Sequence, residues 1–188
     1  MRGIINDFEE SLDLLEQFIS RQENITAIRN AGDKVVYSLR EGGKVISCGN
    51  GGSMSDAIHF AEELTGKFRN TRQSLPAIAI SDPGYLSCVA NDYGYDFVFA
   101  RFIEGLGNKG DILLAISTSG NSENVVKAAI TAKEKGMYVI ALTGQHGGKL
   151  GQLADIEIRA PFSAYADRAQ EIHIKIIHSL IHYIERTL

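Results

Sequence analysis

Histidines, carboxylates and hydroxyl residues occur in this 188-residue chain at spacings that could do chemistry. His59 and Glu63 are four apart in the apolar segment AIHFAEEL. On a helix that spacing puts both side chains on one face. An imidazole and a carboxylate so placed suit a metal ion or proton transfer. Glu62 is the neighbouring carboxylate, turned by about 100° around the helix. The order of residues is not that of the HExxH zinc helix. A surface ion pair or a satisfied core histidine remains open on spacing alone. A second group lies near the C-terminus: Asp167, Arg168, Gln170, Glu171, His173, His178 and His182. His178 and His182 are four apart and form a possible ligand pair. Gln170 and His178 are eight apart, about 80° around a helix, so long side chains could converge. Glu171 with Lys175 reads as a helix-stabilising pair, and His182 suits the end of a helix. Spacing does not choose among these histidines. His146, in the turn GQHGG, reads as turn chemistry.

The hydroxyls gather in two glycine-serine stretches, CGNGGS at 48–53 and STSGNS at 117–122. Each follows a short apolar run and precedes a helical one. Glycine permits a tight turn and close backbone approach. Free N–H groups at a helix start favour an anion, and hydroxyls add donors for phosphate oxygens. A serine before a helix is also an ordinary N-cap, but the pattern occurs twice. Neither stretch is a nucleotide fingerprint, because 49–53 lacks the P-loop lysine and GNGGS is not GxGxxG. A small phosphorylated ligand fits better.

These residues need elements to hold them. Five short, nearly continuous apolar runs read as strands: 44–49, 76–81, 111–117, 137–143 and 156–160. Strands covered on both faces have this look. Helical segments at 53–65, 83–106, 122–135 and 148–154 alternate with them, which predicts a three-layer α/β fold with a five-stranded parallel sheet. Residues 164–186 form a long last helix with the stripe Ile172, Ile176, Leu180 and Ile184. Residues 1–41 read as two helices broken at RQEN. Phe8, Leu12, Leu15 and Ile19 recur at helical spacing in the first, and Ile25, Ile28, Val35, Val36 and Leu39 in the second. We expect this pair to be an arm packed on a single domain of residues 1–188 and lying in an oligomer interface.

Composition narrows the field. Nineteen basic and 23 acidic side chains leave a formal charge of −4 with 44% hydrophobic residues. That excludes a basic nucleic-acid binder and a long disordered chain. The N-terminus carries acidic residues where a signal peptide has an apolar run, and no apolar stretch has the length of a membrane span. Two cysteines, Cys48 and Cys88, form no CxxC pair and fit a reducing compartment. The expectation is a cytoplasmic protein without a nucleic-acid or membrane partner.

Taken together, SCGNGGS, HFAEELTG, STSGNS and ADRAQEIHIKIIH resemble the phosphoheptose isomerases of the sugar isomerase (SIS) domain family, nearly end to end. The resemblance implies a flavodoxin-like SIS fold and a homotetramer with active sites shared between chains. It implies conversion of sedoheptulose 7-phosphate to D-glycero-D-manno-heptose 7-phosphate, an early step toward the ADP-heptose of lipopolysaccharide. Carried over, Gly51, Ser53, Ser117, Thr118, Ser119 and Ser122 are similar to phosphate-loop residues. Asn50, Asp92, Asp167 and Gln170 are similar to sugar contacts. Glu63 and His178 are similar to the acid–base pair, and His59, Glu63, Gln170 and His178 to a zinc set, one ion per subunit. A zinc-bound Glu63 would be a poorer base, and glutamine is an unusual zinc ligand. Lys67 stands where relatives can have arginine, keeping charge without the planar fork. Alternatives are an isomerase of a shorter sugar phosphate, a sugar-phosphate sensor, and a non-catalytic relative that binds the replication initiator protein. The presence of His59, Glu63, Gln170 and His178 favours the enzyme.

Overall fold

The computed structural model describes residues 2–188. Two helices, α1 (Arg2–Ile19) and α2 (Gln22–Arg40), lead into strand β1 (Val45–Gly49) and helix α3 (Gly52–Thr65). Next come β2 (Ala77–Ala79), α4 (Pro83–Tyr93), a 3₁₀ turn (Tyr95–Phe97) and α5 (Val98–Leu106). Then β3 (Ile112–Ser117), α6 (Glu123–Glu134), β4 (Tyr138–Thr143), α7 (Gly148–Leu153), β5 (Ile156–Arg159) and α8 (Ala166–Thr187) complete the chain. The strands form one parallel sheet in the order β2-β1-β3-β4-β5.

Strand periodicity builds two cores. Ile112, Leu114, Ile116, Ile140 and Leu142 point to one face, against Val35 of α2, Phe60 and Leu64 of α3, and the Ile172–Ile184 stripe of α8. Ile46, Cys48, Leu113, Ala115, Val139 and Ala141 point to the other, against Val98, Phe99 and Ile103 of α5 and Val125 and Ala129 of α6. Alternate residues facing opposite sides, all apolar, explain the unbroken hydrophobic runs. β1 and β3 are neighbours, yet the chain leaves β1 toward β2 on the opposite side. This reversal opens a crevice at the carboxyl ends of β1 and β3, where both glycine-serine loops emerge.

Two local expectations change. The helix expected over 83–106 is broken at Gly94, which has φ +89° and starts the 3₁₀ turn. The break between α1 and α2 is only Ser20 and Arg21. The Phe8, Leu12 and Ile19 stripe of α1 faces outward: Phe8 is 74% exposed, while Leu14 and Phe18 are buried. Another face of α1 meets the domain, so Ile4, Ile5, Phe8, Leu12 and Ile19 remain uncovered in one chain. Cys48 and Cys88 are free thiols. No helix among the described residues is long and apolar enough to cross a membrane.

Candidate active site

The second loop forms a hydroxyl cradle. Ser117 Oγ lies 3.1 Å from Ser122 Oγ and 3.4 Å from Ser119 Oγ. Ser122 is the N-cap residue of α6, but its side chain makes no capping bond. Its hydroxyl is therefore available to a ligand as well as to Ser117. Gly120 has φ +64°, and a Cβ there would overlap the Gly147 carbonyl, so only glycine lets the loop close against the turn before α7. Thr118 and Ser119 line a cleft of about 230 Å³ with Gly144, Gln145, His146, Phe162 and Tyr165. His146 thus borders the cleft, which its turn context did not reveal.

The first loop meets the second side by side. Asn50 and Asn124 exchange amide hydrogen bonds of 2.9 Å in both directions, and the Tyr95 hydroxyl donates to Asn50 Oδ1 at 3.2 Å. Asn50 therefore joins the loops. Asn124 and Tyr95, which no motif singles out, are its partners there. Gly51 has φ +55°, a conformation favouring glycine. Ser53 is buried on the first turn of α3.

α3 then carries His59 and Glu63 toward His178 of α8. His59 Nε2 and His178 Nε2 face each other at 2.9 Å, with the rings edge to face. Glu63 Oε1 is 3.7 Å from the same His59 nitrogen. Two imidazole nitrogens this close require one to carry the proton and the other to accept it. Burial, and then the neighbouring His59, push the His178 pKa below the ordinary histidine value, against the pull of Glu63. Glu62 Oε1 lies 2.8 Å from His59 Nδ1, which fixes the ring. By spacing alone Glu62 is only the neighbouring carboxylate. The Phe68 ring lies 5.9 Å from that of His178.

Gly52 and Gln170 pack together: a Cβ on Gly52 would stand 2.7 Å from both amide atoms of Gln170. Gln170 makes no hydrogen bond with His59, Glu63 or His178 among the described residues. Three of the four expected ligands converge, while Gln170 lies against the first loop, about 12 Å along the helix from His178. Among the described residues, Asp92 is bonded only from Asn91 and Cys88 on its own helix. Asp167 is exposed and, among the described residues, pairs only with Arg168 at 3.8 Å. Neither reaches the cluster within the chain. The proposed His178–His182 ligand pair does not form, because His182 turns to Arg69 at 3.3 Å. Glu171 pairs with Arg168 at 2.7 Å, not with Lys175.

The donor set fits a metal ion. His59, Glu62 and Glu63 offer ligand atoms within 4.8 Å of one another, and His178 adds a second imidazole. A tetrahedral zinc ion needs two ligand nitrogens about 3.3 Å apart, so the 2.9 Å pair must open by only a few tenths. Glu62 behind His59 has the place of the carboxylate that orients a metal-bound histidine.

The SIS domain signature matches residues 8–144. A phosphoheptose isomerase from Cytophaga hutchinsonii is 60% identical over 98% of this chain and 97% of its own length. The solved structure of a phosphoheptose isomerase from Francisella tularensis superposes with a TM-score of 0.93 at 40% identity, covering 98% of this chain and 97% of that one. One from Neisseria gonorrhoeae gives a TM-score of 0.92 at 37% identity, covering 98% of both chains.

Proposed function

Because the chain belongs to the SIS domain family, among its phosphoheptose isomerases, we propose that it converts sedoheptulose 7-phosphate to D-glycero-D-manno-heptose 7-phosphate. The observation that carries the chemistry is the convergence of His59, His178 and Glu63 on α3 and α8, with the Ser117, Ser119 and Ser122 hydroxyls gathered after β3.

A ketose becomes an aldose through an enediol. The phosphate is held by Ser53, Ser117, Thr118, Ser119 and Ser122, and by N–H groups at the starts of α3 and α6. Glu63 removes the C1 proton and returns it at C2. His178 moves protons among the sugar oxygens. Glu62 holds His59, and His59 holds His178, so each ring has a defined direction. Lys175 and Arg69 add positive charge near His178.

His59, Glu63 and His178 would hold a zinc ion, with Gln170 able to join only by leaving Gly52. Such an ion would polarise the carbonyl and orient the sugar oxygens. Glu63 serves the proton best when it is not tightly bound as a ligand. Asp92 and Asp167 have only neighbouring partners among the described residues, which agrees with sugar contacts completed in a homotetramer of shared sites. The exposed Ile4, Ile5, Phe8 and Leu12 of the arm are the apolar surface such an assembly would cover. A cytoplasmic setting fits the sugar-phosphate substrate and the free thiols.

The test is turnover of sedoheptulose 7-phosphate against shorter ketose phosphates. Preferential turnover of the seven-carbon sugar is expected. Equal or better turnover of a hexose phosphate would overturn the substrate assignment.

A further inference from the structure

His173 has no part in the chemistry above, yet it is fully buried on α8, among the apolar residues that pack this helix on the sheet. Its Nε2 donates to the Thr143 carbonyl at 2.9 Å, while its Nδ1 is buried without a partner. An unpaired buried nitrogen is costly, and an apolar residue would avoid that cost. The bond is not needed to satisfy β4. Thr143 O already accepts from Ala160 N at 2.8 Å, and the histidine takes its second lone pair.

What the bond adds is a connection. The peptide group that contains the Thr143 carbonyl also contains the Gly144 N–H, which donates to Thr118 O at 3.0 Å. A peptide group is planar and stiff. One rigid unit therefore joins α8 at one end to the hydroxyl loop at the other. Thr118 lies between Ser117 and Ser119 of that loop, and α8 carries Gln170 and His178. Gly144 is itself required, since a Cβ there would collide with Thr118 O.

We propose that His173 is a positioning residue: through the Thr143–Gly144 peptide it holds the acid–base helix and the phosphate loop in one register. This rests on the isomerase reading for its substrate, though the tie itself does not. Burial lowers the His173 pKa to about 4, so the ring stays neutral and its Nε2–H stays in place near neutral pH.

The experiment compares three variants. His173→Leu removes the donor and the unpaired nitrogen together. His173→Gln keeps an N–H near the position of Nε2, and His173→Asn holds the same amide one methylene short. At neutral pH the leucine variant should be as stable as the parent, because no acceptor is stranded. Its KM for sedoheptulose 7-phosphate should rise about five-fold, the effect of one lost neutral hydrogen bond, while kcat changes less than about two-fold. Glutamine should bring KM back to within about two-fold of the parent, and asparagine should behave as leucine. Inorganic phosphate, followed by calorimetry without turnover, should bind the leucine variant about five-fold more weakly. Unchanged KM and phosphate binding in the leucine variant, or equal values in the glutamine and leucine variants, would overturn the proposal. A parent protein that bound phosphate but left the heptose unconverted would overturn the isomerase reading, and the calorimetric comparison would still decide the role of His173.

Discussion

Acid should weaken this fold through one residue in particular. His173 is completely enclosed, and burial outweighs its bond to Thr143, so its pKa falls from 6.5 to about 4. The unfolded chain takes up the proton near the ordinary value and the folded chain does not. Stability from this group is therefore complete above the unfolded pKa. It is lost as pH falls from about 6.5 toward about 4, and levels off once the folded ring also protonates. The fall from 6.5 to about 4 gives a loss of about 2 kcal/mol by about pH 5 and about 3 kcal/mol by about pH 4. Other groups titrate over the same range, so the measurement is a difference. Urea unfolding of the parent and His173→Leu is followed from neutral to acid pH at one protein concentration, because assembly would add its own stabilisation. The parent should lose about 3 kcal/mol more than the leucine variant over that range. Parallel profiles would show that His173 protonates in the folded state as easily as in the unfolded one, and the burial argument would fail.

Four further outcomes follow from the site. Glu63→Gln should lower kcat by about 10²- to 10⁴-fold while sugar-phosphate affinity, measured by calorimetry, changes little; full turnover would end its role as proton carrier. Ser122→Ala should weaken binding of inorganic phosphate without lowering thermal stability, since the hydroxyl caps no helix N–H; a stability loss of about 1 kcal/mol with unchanged phosphate binding would make it a cap after all. Gly120→Ala should cost more than about 1 kcal/mol, from its positive φ and the overlap with Gly147, and thermal melting measures that cost. After zinc incubation, elemental analysis should find the metal in the parent but greatly reduced in His59→Ala; equal zinc in both would remove His59 from the ligand set.

By itself the sequence pointed to the layers, because short apolar runs alternating with helical segments have the pattern of strands covered on both sides, and the Ile172–Ile184 stripe has the spacing of one helix face. It also determined which loops could hold a phosphate, since glycine and serine after a strand leave N–H groups and hydroxyls free. It did not separate the histidines. His173, His178 and His182 lie on one helix, yet one is buried against β4, one faces His59 and one faces Arg69, depending on which neighbour covers each face of α8. The same holds for Gln170, drawn to Gly52, and for Phe8 and Leu12, whose stripe looks like core but points outward. Helical periodicity says which side chains share a face. Only the packing of α3, α8 and the sheet decides what that face meets, and contacts between residues more than a hundred positions apart leave no local trace in the chain.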